Sequence, residues 1–418
     1  MKLGVIADDF TGASDIALTL SAAGMPTAFF PGIPAQSTAG AHAASVIALK
    51  CRSVRADDAI ADALGALAWL RANGAEQIIY KICSTFDSTD SGNIGPVAEA
   101  LADALDERFV IVCPAFPTAG RTVYQGHLFV HDALLSESGM ENHPLNPMRD
   151  PDLRRVLACQ TARAVGHLPL AQLRALDAAD ADTILERCAP NGAARTFVIA
   201  DAIDDTDLHR LGLLAKNRAL LVGGSGIALG LPANFGHRPG SADWTPVTGP
   251  GAVLSGSCSR QTLRQVTQYA ATAPAWRVTP QEIISATVSP RQVADWVRAQ
   301  VDHPLVYTTV AAEDVLAVQS TIGADVAAHA TEEFFAHLAA LIVDDGIKRL
   351  VIAGGETSSA VVSRLAPQSL TVGPAAAPGV PLMFEPDRCL ALALKSGNFG
   401  ADDFFSTCLS QMAGENNE

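Results

Sequence analysis

A chain of 418 residues is longer than one ordinary core can use, so two domains are expected. Hydrophobic residues supply 49% and charged residues 17%, a balance that suits buried α/β layers and excludes a disordered chain. The net charge of -15 argues against a nucleic-acid partner, since phosphate backbones are held by Lys and Arg; a locally basic pocket can still take a small anion.

In chain order, residues 3–7 predict a buried strand and 13–23 the helix after it. Residues 45–49, 77–82, 109–113, 196–200 and 219–222 predict further strands. Helices are expected between them at 56–72, 95–105 and 204–215. Such alternation predicts a mostly parallel sheet flanked by helices. Residues 122–130 break the rhythm as an irregular strand or hairpin, and 142–149 form a loop before a helix at 151–160. From Leu231 to Gly251 the chain is rich in Pro, Gly and Ser. The boundary is placed there, with a first domain of 1–235, a linker of 236–250 and a second domain of 251–418. That domain predicts strands at 252–255, 305–308 and 350–353 and helices at 259–269, 280–286, 291–301, 332–345 and 358–365. Short apolar segments at 382–385 and 391–394 and a polar tail at 414–418 close the chain. The fold class expected is α/β, two domains, each a mostly parallel sheet flanked by helices. No run is expected to span a bilayer, and the start leads straight into a strand rather than a signal peptide. The eight cysteines form no CxxC pair, so reduced thiols and a cytoplasmic location are expected.

Candidate sites cluster where strands run into helices, the junction at which α/β proteins place ligands. Asp8 and Asp9 come first. Neighbouring side chains diverge, so one caps the helix and the other accepts from a substrate hydroxyl, or both simply cap. Lys81 suits a ligand carboxylate. Ser84, Thr85 and Asp87 can bond a polyhydroxylated ligand, or form an Asx or ST turn. Cys83 reads as a small apolar residue rather than a nucleophile. Arg121 offers a planar fork for a carboxylate or phosphate, and His127 can bind substrate or relay a proton. In the second half, Gly354-Gly355-Glu356-Thr357-Ser358, Ser255-Gly256-Ser257-Cys258-Ser259 and Lys395-Ser396-Gly397-Asn398-Phe399-Gly400 make three Gly/Ser-rich turns. They suit an adenine nucleotide held through backbone N–H groups, although neither a Walker A nor a GxGxxG motif is present.

Together these segments resemble the four-carbon acid sugar kinase family. The resemblance runs from Ala7-Asp8-Asp9-Phe10-Thr11-Gly12-Ala13 through Ser84-Thr85-Phe86-Asp87-Ser88-Thr89 with Gly92-Asn93-Ile94-Gly95. It continues through Pro114-Ala115-Phe116-Pro117, Gly120-Arg121-Thr122 and Gly126-His127-Leu128-Phe129-Val130 to the Gly354 and Lys395 turns. It implies an N-terminal sugar-acid-binding domain, a C-terminal ATP-binding domain and ligand sites in the cleft between them. It also implies Mg²⁺-assisted, ATP-dependent phosphorylation of a four-carbon sugar acid at its C4 hydroxyl. Residues 80–89 and 394–400 are similar to the 3-oxo-tetronate branch, and Asp90-Ser91-Gly92-Asn93 lacks the Arg of the threonate and erythronate branch. D-threonate and D-erythronate stay as alternative acceptors. On this resemblance Arg121 or Lys81, with Arg52, holds the carboxylate, while Asp9, Ser84, Thr85 and His127 complete the substrate set. Asp8 or Asp87 orients or deprotonates the attacking oxygen. Ser259, Gly354, Gly355, Glu356, Thr357, Ser358, Gly397 and Gly400 hold ATP, and Mg²⁺ bridges its phosphates with no protein ligands named. A homodimer stays open. So does a non-catalytic sugar-acid sensor, whereas a nicotinamide enzyme would need the missing GxGxxG turn.

Overall fold

Runs such as Leu-Gly-Val-Ile-Ala are apolar on both faces, and a strand of that kind is stable only inside a sheet covered on both sides. The computed structural model describes residues 1–35, 42–142, 146–175, 181–240, 244–309 and 323–415. It divides into two units, Met1–Ser241 and Ala242–Glu418.

The N-terminal unit holds β1 (Leu3–Ala7), β2 (Thr27–Phe30), β3 (Ala44–Ala48), β4 (Gln77–Lys81) and β5 (Phe109–Cys113). A hairpin follows, β6 (Arg121–Tyr124) and β7 (His127–Val130), extended by the short β8 (Ala133–Leu134). Then come β9 (Ala164–Leu168), β10 (Thr196–Ala200) and β11 (Leu220–Gly223). The main sheet runs β2-β3-β1-β4-β11-β5-β10-β9, all parallel. Ala7 registers with Ala48 and Lys81, Lys81 with Gly223, and Gly223 with Cys113. The carboxyl ends of five neighbouring strands therefore finish level, and the loops leaving them share one edge. Helices α1 (Phe10–Ala22), α2 (Ala56–Ala72), α3 (Ile94–Ala104), α4 (Leu153–Ala158), α5 (Leu170–Arg174), α6 (Ala181–Cys188) and α7 (Asp205–Leu214) connect the strands. α1 starts three residues before the expected 13, because Asp9 already caps it. β2 and β9 were not expected: each is short, and β9 mixes Gly and His into its run.

Asp201, fully buried, ties the hairpin to the sheet. It accepts from the N–H groups of Gln125 (2.9 Å), Gly126 (2.9 Å) and Leu170 (3.0 Å) and lies 2.9 Å from His167 Nε2. Burial pushes its carboxyl up, but the His167 and backbone bonds outweigh that and hold it below the ordinary value.

The C-terminal unit contains β12 (Gly251–Ser255), β13 (Ala275–Arg277), β14 (Leu305–Tyr307), β15 (Arg349–Ala353), β16 (Leu370–Ala377), β17 (Val380–Glu385) and β18 (Leu390–Lys395). The order is β13-β14-β12-β15-β18-β17-β16. It is parallel as far as β18, and β17 and β16 join antiparallel. The apolar segments expected at 382–385 and 391–394 are thus two arms of a meander, whose first arm, β16, was not expected. Its helices are α8 (Arg260–Ala270), α9 (Pro280–Ile284), α10 (Pro290–Ala299), α11 (Ala324–Asp344), α12 (Gly355–Leu365) and the unexpected α13 (Phe404–Met412). α11 corrects one expectation. Over Val326–Asp344 it has the length and mean hydropathy, 1.3, of a membrane span. It packs on α10 and α12, with Phe335, Leu338 and Ala339 fully buried, as a core helix does.

Candidate active site

The level strand ends of the N-terminal unit assemble a charged cluster. Asp9 is the N-cap of α1: its Oδ1 accepts from Gly12 N–H (3.1 Å) and its Oδ2 from Thr11 Oγ1 (2.8 Å). Arg52, on the loop after β3, donates Nε (2.9 Å) and Nη2 (2.8 Å) to Asp8 and Nη2 (2.7 Å) to Asp9. Asn93 fixes that loop by donating to the carbonyls of Cys51 (2.7 Å) and Val54 (2.8 Å). So Arg52, expected on a substrate carboxylate, is engaged by the protein's own acids. Burial raises the Asp8 carboxyl above its ordinary value despite Arg52. Burial also pushes Asp9 up, but Arg52 and Lys81 outweigh it and the Asp9 carboxyl ends below the usual range.

Lys81 closes β4, is buried, and donates Nζ to the Ile82 carbonyl (2.7 Å). A Cβ at Gly12 would meet Lys81 Nζ at 2.7 Å, so glycine there lets the ammonium approach α1. On the next loop Thr85 and Asp87 are buried, and Thr85 Oγ1 lies 2.9 Å from Cys83 Sγ. Phe86 between them takes φ 53 with its ring fully buried, a left-handed conformation few non-glycine residues adopt. Arg121 donates to the Ala119 carbonyl, and its buried Nε has no partner among the described residues. His127 sits on the hairpin, its Nδ1 2.8 Å from the Gln125 carbonyl and its Nε2 3.9 Å from Asp152. Sequence reasoning missed Asp15 and Ser225. The available signal was Gly223-Gly224-Ser225-Gly226, a Gly/Ser turn at a strand's carboxyl end like those singled out in the second half.

In the C-terminal unit the three Gly/Ser turns leave the adjacent strands β12, β15 and β18. Ser259 caps α8 through Thr262 N–H (3.1 Å) and donates to the Gly397 carbonyl (2.5 Å), which also accepts from Thr262 Oγ1 (2.8 Å). Lys395, wholly buried, donates Nζ to Thr262 Oγ1 (2.9 Å) and to the carbonyls of Gly397 (3.0 Å) and Ser396 (3.1 Å). Burial lowers its ammonium to about 8. Gln265 Nε2 holds the far side of this turn through the carbonyls of Phe399, Gly400 and Ala401. Gly354 takes φ 124 and ψ 129, and its amide bonds the Lys395 carbonyl (2.8 Å). Ser358 Oγ and Ser359 Oγ, in the first turns of α12, are buried without a partner among the described residues. Orphaned hydroxyls at a helix N-terminus, beside glycine turns with no room for Cβ atoms, fit a phosphate-bearing ligand. No group of three or more His, Cys, Asp or Glu among the described residues is placed to hold a metal ion.

Gly354→Ala is expected to cost about 1–3 kcal/mol, because a side chain does not tolerate that backbone conformation. Thermal unfolding and nucleotide titration should both register it; an unchanged midpoint would show that the turn relaxes freely.

Both units match family models of known proteins. A sugar-binding N-terminal domain matches residues 3–231 and a nucleotide-binding C-terminal domain matches residues 252–405. Over 99% of the chain, it is 46% identical to the 3-oxo-tetronate kinase of Cupriavidus necator and 47% identical to that of Pseudomonas fluorescens, covering 97% of each. The chain belongs to the four-carbon acid sugar kinase family. Two crystal structures are similar at 41% identity. One, from Salmonella typhimurium LT2, has a TM-score of 0.90 over 98% of this chain and 99% of its own. The other, from Haemophilus influenzae, has a TM-score of 0.82 over 98% and 100%. Within this family frame the Asp8 cluster falls in the sugar-binding match and the three Gly/Ser turns in the nucleotide-binding match.

Proposed function

We propose that the protein transfers the γ-phosphoryl group of ATP to the C4 hydroxyl of 3-oxo-tetronate, giving ADP and 3-oxo-tetronate 4-phosphate. The observation that carries this reading is full-length similarity, at 42–47% identity, to proteins named 3-oxo-tetronate kinase. The geometry supports it. Lys81 and Arg121 make no ion pair within 4 Å among the described residues, so both cations are available to the substrate carboxylate. Arg52 braces Asp8 and Asp9 side by side rather than meeting the substrate directly. Asp9, Ser84, Thr85, Asp87 and His127 supply the remaining polar contacts for a hydroxylated acid.

ATP is held by backbone N–H groups of the turns at Gly354–Ser358 and Gly397–Gly400, with Glu356 at the helix start. Ser259 and Thr262 fix the Gly397 turn, and Ser358 and Ser359 offer hydroxyls to phosphate oxygens. Phosphoryl transfer asks mainly for positioning and charge neutralisation, which this donor set provides. Mg²⁺ would enter with ATP and neutralise phosphate charge; no group of three or more His, Cys, Asp or Glu among the described residues is placed to hold it. A cytoplasmic location accords with eight cysteines that are all free thiols.

A coupled ADP-release assay with Mg-ATP tests the reading against 3-oxo-tetronate, D-threonate, L-threonate and D-erythronate, with phosphorus NMR locating the phosphate. Selective turnover of the oxo acid with phosphate on C4 is expected. Turnover of a threonate or erythronate instead would overturn the substrate, and ATP binding without turnover would favour a sensor.

A further inference from the structure

One carboxylate of the N-terminal cluster is held through a single oxygen by a buried serine. Asp15 lies on α1, seven residues after Asp8. Its Oδ2 accepts from Ser225 Oγ at 2.5 Å, and Oδ1 receives no bond from the described residues. Ser225 is fully buried and opens the turn Ser225–Ala228 directly after β11, the strand beside Lys81. The charged groups acting on Asp15 are Lys81 of β4, Asp9 at the cap and Arg121 of the hairpin. These are the two cations assigned to the substrate carboxylate and the capping acid that is assigned to the substrate with them. Asp8 differs, because each of its oxygens already accepts from Arg52. Asp9 has Oδ1 on Gly12 and Arg52 and Oδ2 on Thr11.

Resting on the kinase reading above, we propose that Asp15, rather than Asp8, is the catalytic carboxylate that orients the C4 hydroxyl and accepts its proton. As the C4 oxygen bonds to the γ-phosphorus, the bond from that phosphorus to the β–γ bridging oxygen breaks. The electron pair leaves with ADP, and the hydroxyl proton passes to Asp15 Oδ1 and then to water. Ser225 is the positioning residue: by engaging Oδ2 it leaves Oδ1 for the substrate. Burial raises the Asp15 carboxyl above its ordinary value, with Lys81 and the Ser225 bond opposing, and a carboxylate tuned upward is a better base at neutral pH.

The test compares Asp15→Asn, Ser225→Ala, Asp8→Asn and Asp87→Asn with the parent enzyme, using kcat and KM for both substrates across pH, with thermal melts as a fold control. Asp15→Asn is expected to lower kcat by ~100-fold or more, leave KM for ATP unchanged, and remove the acidic limb of the kcat profile. Ser225→Ala is expected to keep that limb but move it to higher pH, because the lost hydrogen bond had favoured the ionised carboxylate. It also keeps the proposal testable should Asp15→Asn fail to fold. An Asp15→Asn enzyme within about threefold of the parent kcat, or loss of the acidic limb in Asp8→Asn or Asp87→Asn instead, would overturn the assignment. A parent enzyme that releases no ADP would sink the kinase reading itself, a result separable from failure of the variant alone.

Discussion

Arg52→Ala is expected to lower the unfolding temperature of the N-terminal unit by roughly 6–20 °C. Asp8 is buried, and its two oxygens face the Arg52 guanidinium at 2.9 and 2.8 Å. Removing one partner of such a pair strands the other charge in a poorly solvated place, at a cost of about 3–5 kcal/mol. For a unit of this size, each 1 kcal/mol moves the midpoint by about 2–4 °C. The loss is larger than a surface ion pair would give, because the cation also serves Asp9, the cap of α1. Arg52→Lys keeps the charge but not the two-pronged contact, so it should recover only part of the loss. Adding Asp8→Asn to Arg52→Ala should restore stability, since a neutral amide does not need the guanidinium. Scanning calorimetry of the three variants settles this, and a shift below about 2 °C for Arg52→Ala would mean that water already shares the pair.

Lys395→Met should have the second large effect, with opposite consequences for ligand handling and for stability at neutral pH. Lys395 is wholly buried, and none of its three hydrogen bonds goes to a carboxylate. An ammonium with no counter-ion among the described residues is costly in a core, and burial lowers this one from 10.5 to about 8. Folding therefore sheds a proton between about pH 8 and 10.5. The penalty is complete below about 8 and fades as pH rises through that window, so the lysine protein gains stability there. The Met variant lacks this dependence. The stability difference between the two should change by at most about 3 kcal/mol between pH 7 and 10.5, read by denaturant titration at both values. A flat difference would show that water reaches the ammonium. The same substitution releases the Ser396 carbonyl and removes one of three donors to the Gly397 carbonyl, so affinity for ATP should fall by about tenfold or more, equivalent to one lost charged hydrogen bond. A stabilised variant that binds ATP as well as the parent would leave the buried charge without a function.

How much of this was legible beforehand depends on the range of the forces involved. Strands β1, β5 and β10 and helix α2 have the bounds that apolar runs and Ala-rich amphipathic spacing predicted, because those signals act between near neighbours. The Gly354 turn and a cap from the Asp8-Asp9 pair were likewise visible, since backbone freedom and capping are local properties; that the cap is Asp9 was not. The short edge strand β9 was not, nor was the meander arm β16, because strand pairing supplies what their own pattern lacks.

By itself, then, the sequence determined the α/β class, the strand-to-helix junctions that carry the candidate sites, and the family resemblance. Only the tertiary structure decided which charges are committed and which are available. Arg52 meets Asp8 across 44 positions, and Ser225 meets Asp15 across 210. Lys395 looked like one more residue of a polar turn until burial and the Thr262 hydroxyl surrounded its ammonium. The physical reason is that ion pairing, desolvation and proton affinity depend on distances in space and on exclusion of water. Local periodicity sets neither for residues that the fold alone brings together.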